Sequence, residues 1–188
     1  PEEFFTKHSD KKLLRLNTIR EKLQLLESVG VDFVYQFNFD KKTSEITAES
    51  YIKDFLVDGL GIRAIIIGDD FRFGKDRLGD YSLLEEYGKK YNYRVFKTAT
   101  YEQNGHRISS TYVREQLLSY NFDLVTRILG RPYSISGTVA KGQQLGASLG
   151  FPTCNVDPGS KRISLRGVFA CEVELDQRIL QAAANFGY

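Results

Sequence analysis

The apolar positions along the chain fall into two kinds of spacing, and the kind changes partway. Ile19, Leu23 and Leu26 recur at helical spacing, with Leu25 and Val29 widening the face. Thr18-Ile19-Arg20-Glu21 has the form of a capping box, because a threonine hydroxyl and a glutamate three residues on can satisfy each other's backbone N–H. Gly30 stands where a C-terminal cap belongs. Val31 to Phe37 alternates and is rich in β-formers, which predicts a strand. Thr47 opens a second predicted helix running to about Asp58, with Tyr51, Ile52, Phe55 and Leu56 on one side and Gly59 and Gly61 closing it. Ala64 to Ile67 is a continuous apolar run, as suits a parallel strand covered on both faces. A third helix from Tyr81 to about Lys90 carries Leu83, Leu84 and Tyr87, and Tyr93 to Lys97 reads as another strand. Such alternation predicts βα units and a doubly wound parallel sheet.

The pattern then shifts. Ile108-Ser109-Ser110-Thr111 leads into a helix with Val113, Leu117 and Leu118, and Asp123 to Leu129 forms a short further helix ended by Gly130. Beyond Gly130 only strand patterns remain. Tyr133 to Val139 alternates strictly, while Val168 to Leu175 and Ile179 to Ala184 read as two arms of a hairpin around Asp176-Gln177. A β-barrel or sandwich is the expectation here, and a domain boundary falls near Gly130. Neither an internal repeat nor a low-complexity tract breaks the chain.

Composition narrows the classes of function. The 188 residues carry 41% hydrophobic and 27% charged residues, which is ordinary globular usage and argues against intrinsic disorder. Lys+Arg 26 against Asp+Glu 24 leaves +2, too little to blanket a polyanion, so no nucleic-acid partner is expected. No run approaches the roughly 20 apolar residues of a membrane helix, so no membrane span is expected. Cys154 and Cys171 lie outside any C-x-x-C or Cys/His cluster; two reduced thiols in a cytoplasmic protein are expected rather than a disulfide or a metal site. His8 and His106 stand too far apart to make a zinc constellation by local spacing. The chain holds no methionine and starts at Pro1, so it is expected to be a piece of a longer protein.

Three segments could carry chemistry. Gly68-Asp69-Asp70-Phe71-Arg72-Phe73-Gly74 follows the apolar strand, where ligands of doubly wound sheets bind. Two carboxylates, an arginine and two aromatics could hold a ring with polar edges there; equally, this is a solvated turn with two core phenylalanines. In Ile108-Ser-Ser-Thr-Tyr-Val-Arg114, hydroxyl residues open a helix whose N–H groups favour an anion, with Arg114 about one turn in. The plainer reading is a cap by Ser109 or Ser110 and a surface arginine. The third segment, Lys141 to Asn155, spaces Gly142, Gly146 and Gly150 so that backbone N–H groups can approach a ligand. Thr153 and Asn155, two apart, share a face of an extended segment and are hard oxygen ligands suited to Mg²⁺ with phosphate. The plainer reading is a glycine-rich barrel turn, and no Walker motif occurs.

Taken together and in this order, "VGVDFVYQFNFD", "GDDFRFG", "ISSTYVREQL", "LGRPYSISGTV", "LGFPTCN" and "NFGY" resemble the bacterial bifunctional riboflavin kinase/FMN adenylyltransferase family, also called FAD synthetases. The resemblance covers nearly the whole chain. It implies an α/β fold with a Rossmann-like nucleotidyltransferase domain over 1–129, followed by the first part, 130–188, of a six-stranded riboflavin-kinase β-barrel. It implies that riboflavin is phosphorylated to FMN, and FMN adenylylated to FAD, with ATP and Mg²⁺. By residue-wise match, Asp70 falls where the family contacts ATP, and Ser110, Thr111 and Arg114 fall in its phosphate-binding helix start. Thr153 and Asn155 match the family's Mg²⁺–nucleotide pair, and Gly142, Gly146 and Gly150 its phosphate-side loop.

There are departures too. The family's first strand, with its G-x-F-D-G and H-x-G-H run, does not occur here, nor does the kinase's catalytic glutamate, which lies downstream of N-x-G-x-R-P-T. Residues 1–188 alone are therefore expected to lack both activities. Cys154 stands for the common alanine of P-T-A-N. Two rival readings stay open at this level: a single-activity nucleotidyltransferase with an accessory barrel, and a non-catalytic flavin- or nucleotide-binding module. Oligomeric state is not readable from the sequence.

Overall fold

A computed structural model describes residues 15–142, 146, 150–151, 153–159 and 165–187. His8 and the interior positions 143–145, 147–149 and 152 of the glycine-rich segment lie outside the described residues. The chain divides into two compact units, one over 34–108 and one combining 15–33 with 109–187.

The 34–108 unit is a helix-and-sheet layer pair. Asp40 caps the short α2 (Lys41–Ser44), accepting from the Thr43 N–H at 2.8 Å. Thr47 caps α3 (Ala48–Ser50), as the sequence predicts, but the helix continues over Tyr51–Gly59 with π-helical turns rather than α-helical ones. The Leu60 N–H donates to Phe55 O at 2.9 Å, closing the wider turn, and Tyr51 and Phe55 stack with centroids 5.4 Å apart. Ile52 and Leu56, one turn apart, are both buried. Strands β1 (Ala64–Gly68) and β2 (Arg94–Thr98) pair in parallel with Ala64 opposite Arg94 and Gly68 opposite Thr98. Between them runs α4 (Tyr81–Tyr91), capped by Asp80, whose Oδ1 accepts from the Leu83 N–H at 3.0 Å. Ile67, Phe73, Leu84 and Tyr93 join Ala48, Ile52 and Leu56 in one core. The expectation that the apolar run is covered on both faces is not met among the described residues: Ile67 is buried, but its neighbour Ile66 is 68% exposed on the opposite face of the strand.

Residues 31–37 form no strand, contrary to their alternation. A strand needs a ladder, and among the described residues β1 and β2 pair only with each other. Tyr35 and Phe37 instead each bring their rings to 5.1 Å from Phe55, so the alternating side is used for aromatic packing. A hairpin without counterpart in the sequence reading follows β2. β3 (Glu102–Gln103) and β4 (His106–Arg107) pair antiparallel across Asn104-Gly105, both at positive φ.

The second unit opens with α1 (Ile19–Ser28). Its predicted capping box is present, with the Thr18 N–H donating to Glu21 Oε2 at 2.7 Å and the Glu21 N–H to Thr18 Oγ1 at 3.1 Å. Helices α5 (Ser110–Leu118) and α6 (Phe122–Leu129) bury Val113, Leu117 and Val125 against one another, with Tyr133 packed alongside. Leu118, expected with them, is exposed. Gly130 ends α6 in a left-handed conformation, as predicted. Of the predicted strand from Tyr133 to Val139, only Thr138 and Val139 pair among the described residues, as part of β5 (Thr138–Ala140) against β6 (Asn155–Asp157). The reason lies in the first half of that run. The Ser136 N–H donates to the buried carboxylate of Glu21 at 2.8 Å, and Tyr133 is drawn into the helical core. β7 (Gly167–Leu175) and β8 (Arg178–Phe186) form the predicted hairpin, turning at Asp176 and Gln177 with φ of 48° and 63°. Among the described residues no barrel closes. Closure gives every strand two neighbours, and β5 to β8 each have one.

Candidate functional site

The loop leaving β1 resolves its two readings residue by residue. Phe73 is buried and Phe71 stacks on it, centroids 5.6 Å apart, so the aromatics belong to the core. Arg72 pairs with Asp80 at 2.9 Å, which places it beside the cap of α4. The two carboxylates remain outside. Asp69 accepts a hydrogen bond from the Thr100 hydroxyl, and that bond together with the nearby Arg107 guanidinium holds its carboxyl below the usual carboxylate range. Asp70 accepts from Arg107 Nη2 at 2.5 Å. Asp70 thus stands at the C-terminal end of a parallel strand, held by the hairpin that follows the neighbouring strand. Sequence reasoning missed Thr100 and Arg107. The Asn104-Gly105 dipeptide is the strongest short hairpin signal and would have shown that the chain turns back here, though not what Arg107 meets.

In the other unit, Ser109 is the cap of α5, its Oγ accepting from the Tyr112 N–H at 3.1 Å. Ser110 and Thr111 are exposed in the first turn, whose leading N–H groups lie outside the intrahelical ladder. Arg114 is four residues after Ser110 and so on the same side of the helix, while Val113 and Leu117 occupy the buried side. By helical spacing Ser110 and Arg114 therefore share one side of a helix start whose dipole favours an anion.

The third segment is brought together in space. Gly142 lies so close to Asn155 that a Cβ there would run into the Asn155 amide nitrogen, with Oδ1 turned further off at 3.8 Å. At Gly146 a Cβ would collide with the Phe151 carbonyl oxygen and reach 3.0 Å from Thr153 Oγ1. The Phe151 N–H donates to Gly146 O at 2.8 Å. Gly150 takes φ 79°, a conformation that glycine adopts at no steric cost. Two glycines thus leave room for the two candidate ligand side chains, both exposed, with Asn155 fixed by its register opposite Ala140. A threonine hydroxyl and an amide oxygen suit Mg²⁺, which keeps several waters and takes its remaining oxygens from phosphates. Among the described residues no cluster of His, Cys, Asp and Glu could hold a metal, and Cys154 and Cys171 are both free thiols. No helix among them is long and apolar enough to cross a membrane.

Comparison with known proteins adds to this geometry. The family model for FAD synthetase matches residues 1–112, and that for riboflavin kinase matches residues 129–188. A bifunctional riboflavin kinase/FMN adenylyltransferase of Escherichia coli (strain K12) is 42% identical over 100% of this chain and 59% of its own length. The proteins of that name from Pseudomonas fluorescens and Haemophilus influenzae are 38% and 35% identical, again over 100% of this chain, and over 59% and 60% of their own lengths. The chain therefore spans about three fifths of these curated relatives. A solved structure described as a macrolide-efflux protein from Streptococcus pneumoniae superposes with a TM-score of 0.80, over 96% of this chain and 60% of that one. Its identity is 24%, so that likeness speaks for the fold alone.

Proposed function

This chain belongs to the FAD synthetase family, and from that premise we propose that the protein it represents makes FMN from riboflavin and FAD from FMN, each with ATP, at two separate sites. In this reading residues 1–129 are a Rossmann-like adenylyltransferase domain, and 130–188 begin a six-stranded riboflavin-kinase barrel. Its substrates are small molecules, without nucleic acid or membrane, and it works in the cytoplasm.

The observation that carries the reading is the packing of Gly142 and Gly146 against Asn155 and Thr153. An accessory barrel turn has no need to keep two exposed oxygen ligands beside two glycines. Thr153 and Asn155 would hold Mg²⁺ there, which supplies positive charge against ATP phosphates when bound. The backbone at Gly142, Gly146 and Gly150 lets N–H groups come close to the same phosphates. The riboflavin ribityl 5′-hydroxyl attacks the γ-phosphorus, the bond from that phosphorus to the β–γ bridging oxygen breaks, ADP departs, and the hydroxyl proton passes to a general base.

In the first domain an FMN phosphate oxygen attacks the α-phosphorus of ATP, the bond to the bridging oxygen breaks, and pyrophosphate leaves. Arg114 and the first N–H groups of α5 bind the oxygens on which negative charge grows, with Ser110 and Thr111 as further donors. By the family match alone, Asp70 at the end of β1 is assigned as a nucleotide contact.

The test is direct. Full-length protein given riboflavin, ATP and Mg²⁺ is followed by chromatography of its flavins. FMN should rise first and FAD follow, with FAD also formed from supplied FMN. Folded protein that yields neither would defeat the proposal.

A further inference from the structure

We infer that Arg107 is a positioning residue for adenylyl transfer, acting through Asp70; the inference rests on the assignment of Asp70 to the nucleotide site. Asp69 and Asp70 are adjacent carboxylates at the end of β1. A nucleoside triphosphate approaching them meets like charge, and an unheld carboxylate would sample several rotamers there. Both are held from the stretch of chain that follows β2. Thr100 donates to Asp69 and Arg107 donates to Asp70 at 2.5 Å, across sequence separations of 31 and 37 residues.

Arg107 is not carried there by chance of a long side chain. The Asn104-Gly105 turn fixes the hairpin register, with Gln103 opposite His106 and Glu102 opposite Arg107, so the arginine stands at the end of a paired strand. Its guanidinium offers five donors, and the bond to Asp70 uses one. It neutralises the Asp70 carboxylate and holds it through Oδ2, with Oδ1 lying back toward Gly68. The side chains are 51% and 65% exposed, so the pair is worth little to stability. Its effect should therefore appear in nucleotide use rather than in folding.

The experiment compares Arg107→Gln, Arg107→Lys, Asp70→Asn and the Asp70→Asn/Arg107→Gln double variant in full-length protein. FAD formation from FMN is measured against ATP concentration, and riboflavin phosphorylation by the same samples reports folding. Arg107→Gln should raise KM for ATP about tenfold, Arg107→Lys should recover most of that, and riboflavin phosphorylation should not change. The double variant should be no worse than Asp70→Asn alone, because Arg107 acts through that carboxylate. If Asp70→Asn impairs FAD formation but the two losses multiply, the inference is overturned and the nucleotide-site assignment stands. The same holds if Arg107→Gln matches the unaltered protein, or lowers both activities alike. If Asp70→Asn has no effect, the assignment of Asp70 falls and the inference with it.

Discussion

At the end of β1 the candidate side chains are held from a distance: Asp69 and Asp70 owe their placement to Thr100 and Arg107, on a connection that only folding brings near. At 142–155 the placement is local. Gly142 and Gly146 make room for Asn155 and Thr153, and one short antiparallel pairing sets the register. The difference teaches where substitution should matter. A site held by tertiary partners fails when its scaffold loosens, whereas a site made by missing side chains fails when one side chain is added.

The largest effect should come from the scaffold of the first region. Leu84 is fully buried under β1 and β2, and Leu84→Ala should cost about 2–5 kcal/mol. Urea unfolding of full-length protein should show the loss in the transition that tracks FAD formation, while riboflavin phosphorylation persists at denaturant concentrations that abolish FAD formation. Equal sensitivity of the two activities would erase the contrast.

For the second region the added side chain is Gly146→Ala. Its Cβ meets the Phe151 backbone oxygen, which cannot swing aside as a flexible side chain can. Overpacking of this kind costs about 1–3 kcal/mol, so riboflavin phosphorylation should fall about tenfold or more. FAD formation from supplied FMN should be unchanged.

The smallest effect should be shared by both regions. Burial pushes the Tyr93 hydroxyl up to about 12, and it donates to Leu84 O at 2.9 Å. Tyr133 in the other region is likewise pushed up to about 12, by burial and by Glu21. An unfolded tyrosine loses its proton near pH 10, whereas these keep theirs. The unfolded state therefore binds fewer protons as pH rises from about 10 toward 12, and stability falls across that window. Tyr93→Phe should flatten the alkaline decline of the first region's melting temperature and leave that of the second.

The same contrast explains what was legible in the sequence. Local devices were readable: the Thr18–Glu21 capping box, the Ser109 start of α5 and the Asp176-Gln177 hairpin. Each depends on residues a few positions apart. Features set by distant partners were not. The alternation at 31–37 predicts a strand, but among the described residues it pairs with no other strand and its aromatics pack on Phe55. Tyr133 to Ser136 alternates equally well, yet Glu21 takes its backbone N–H and the core takes its ring. No local pattern encodes the Arg107–Asp70 bond, although Asn104-Gly105 announces the turn that delivers it.

The central claim is that two separate sites act on two separate phosphorus centres. It is tested by measuring both half-reactions in two full-length variants, Arg114→Ala and Thr153→Val/Asn155→Ala, with circular dichroism confirming that each is folded. Arg114→Ala should lose about 10²–10³ in FAD formation and keep FMN formation. The double variant should lose riboflavin phosphorylation and its Mg²⁺ dependence, and keep FAD formation from supplied FMN. Parallel loss of both half-reactions in either folded variant would contradict the account.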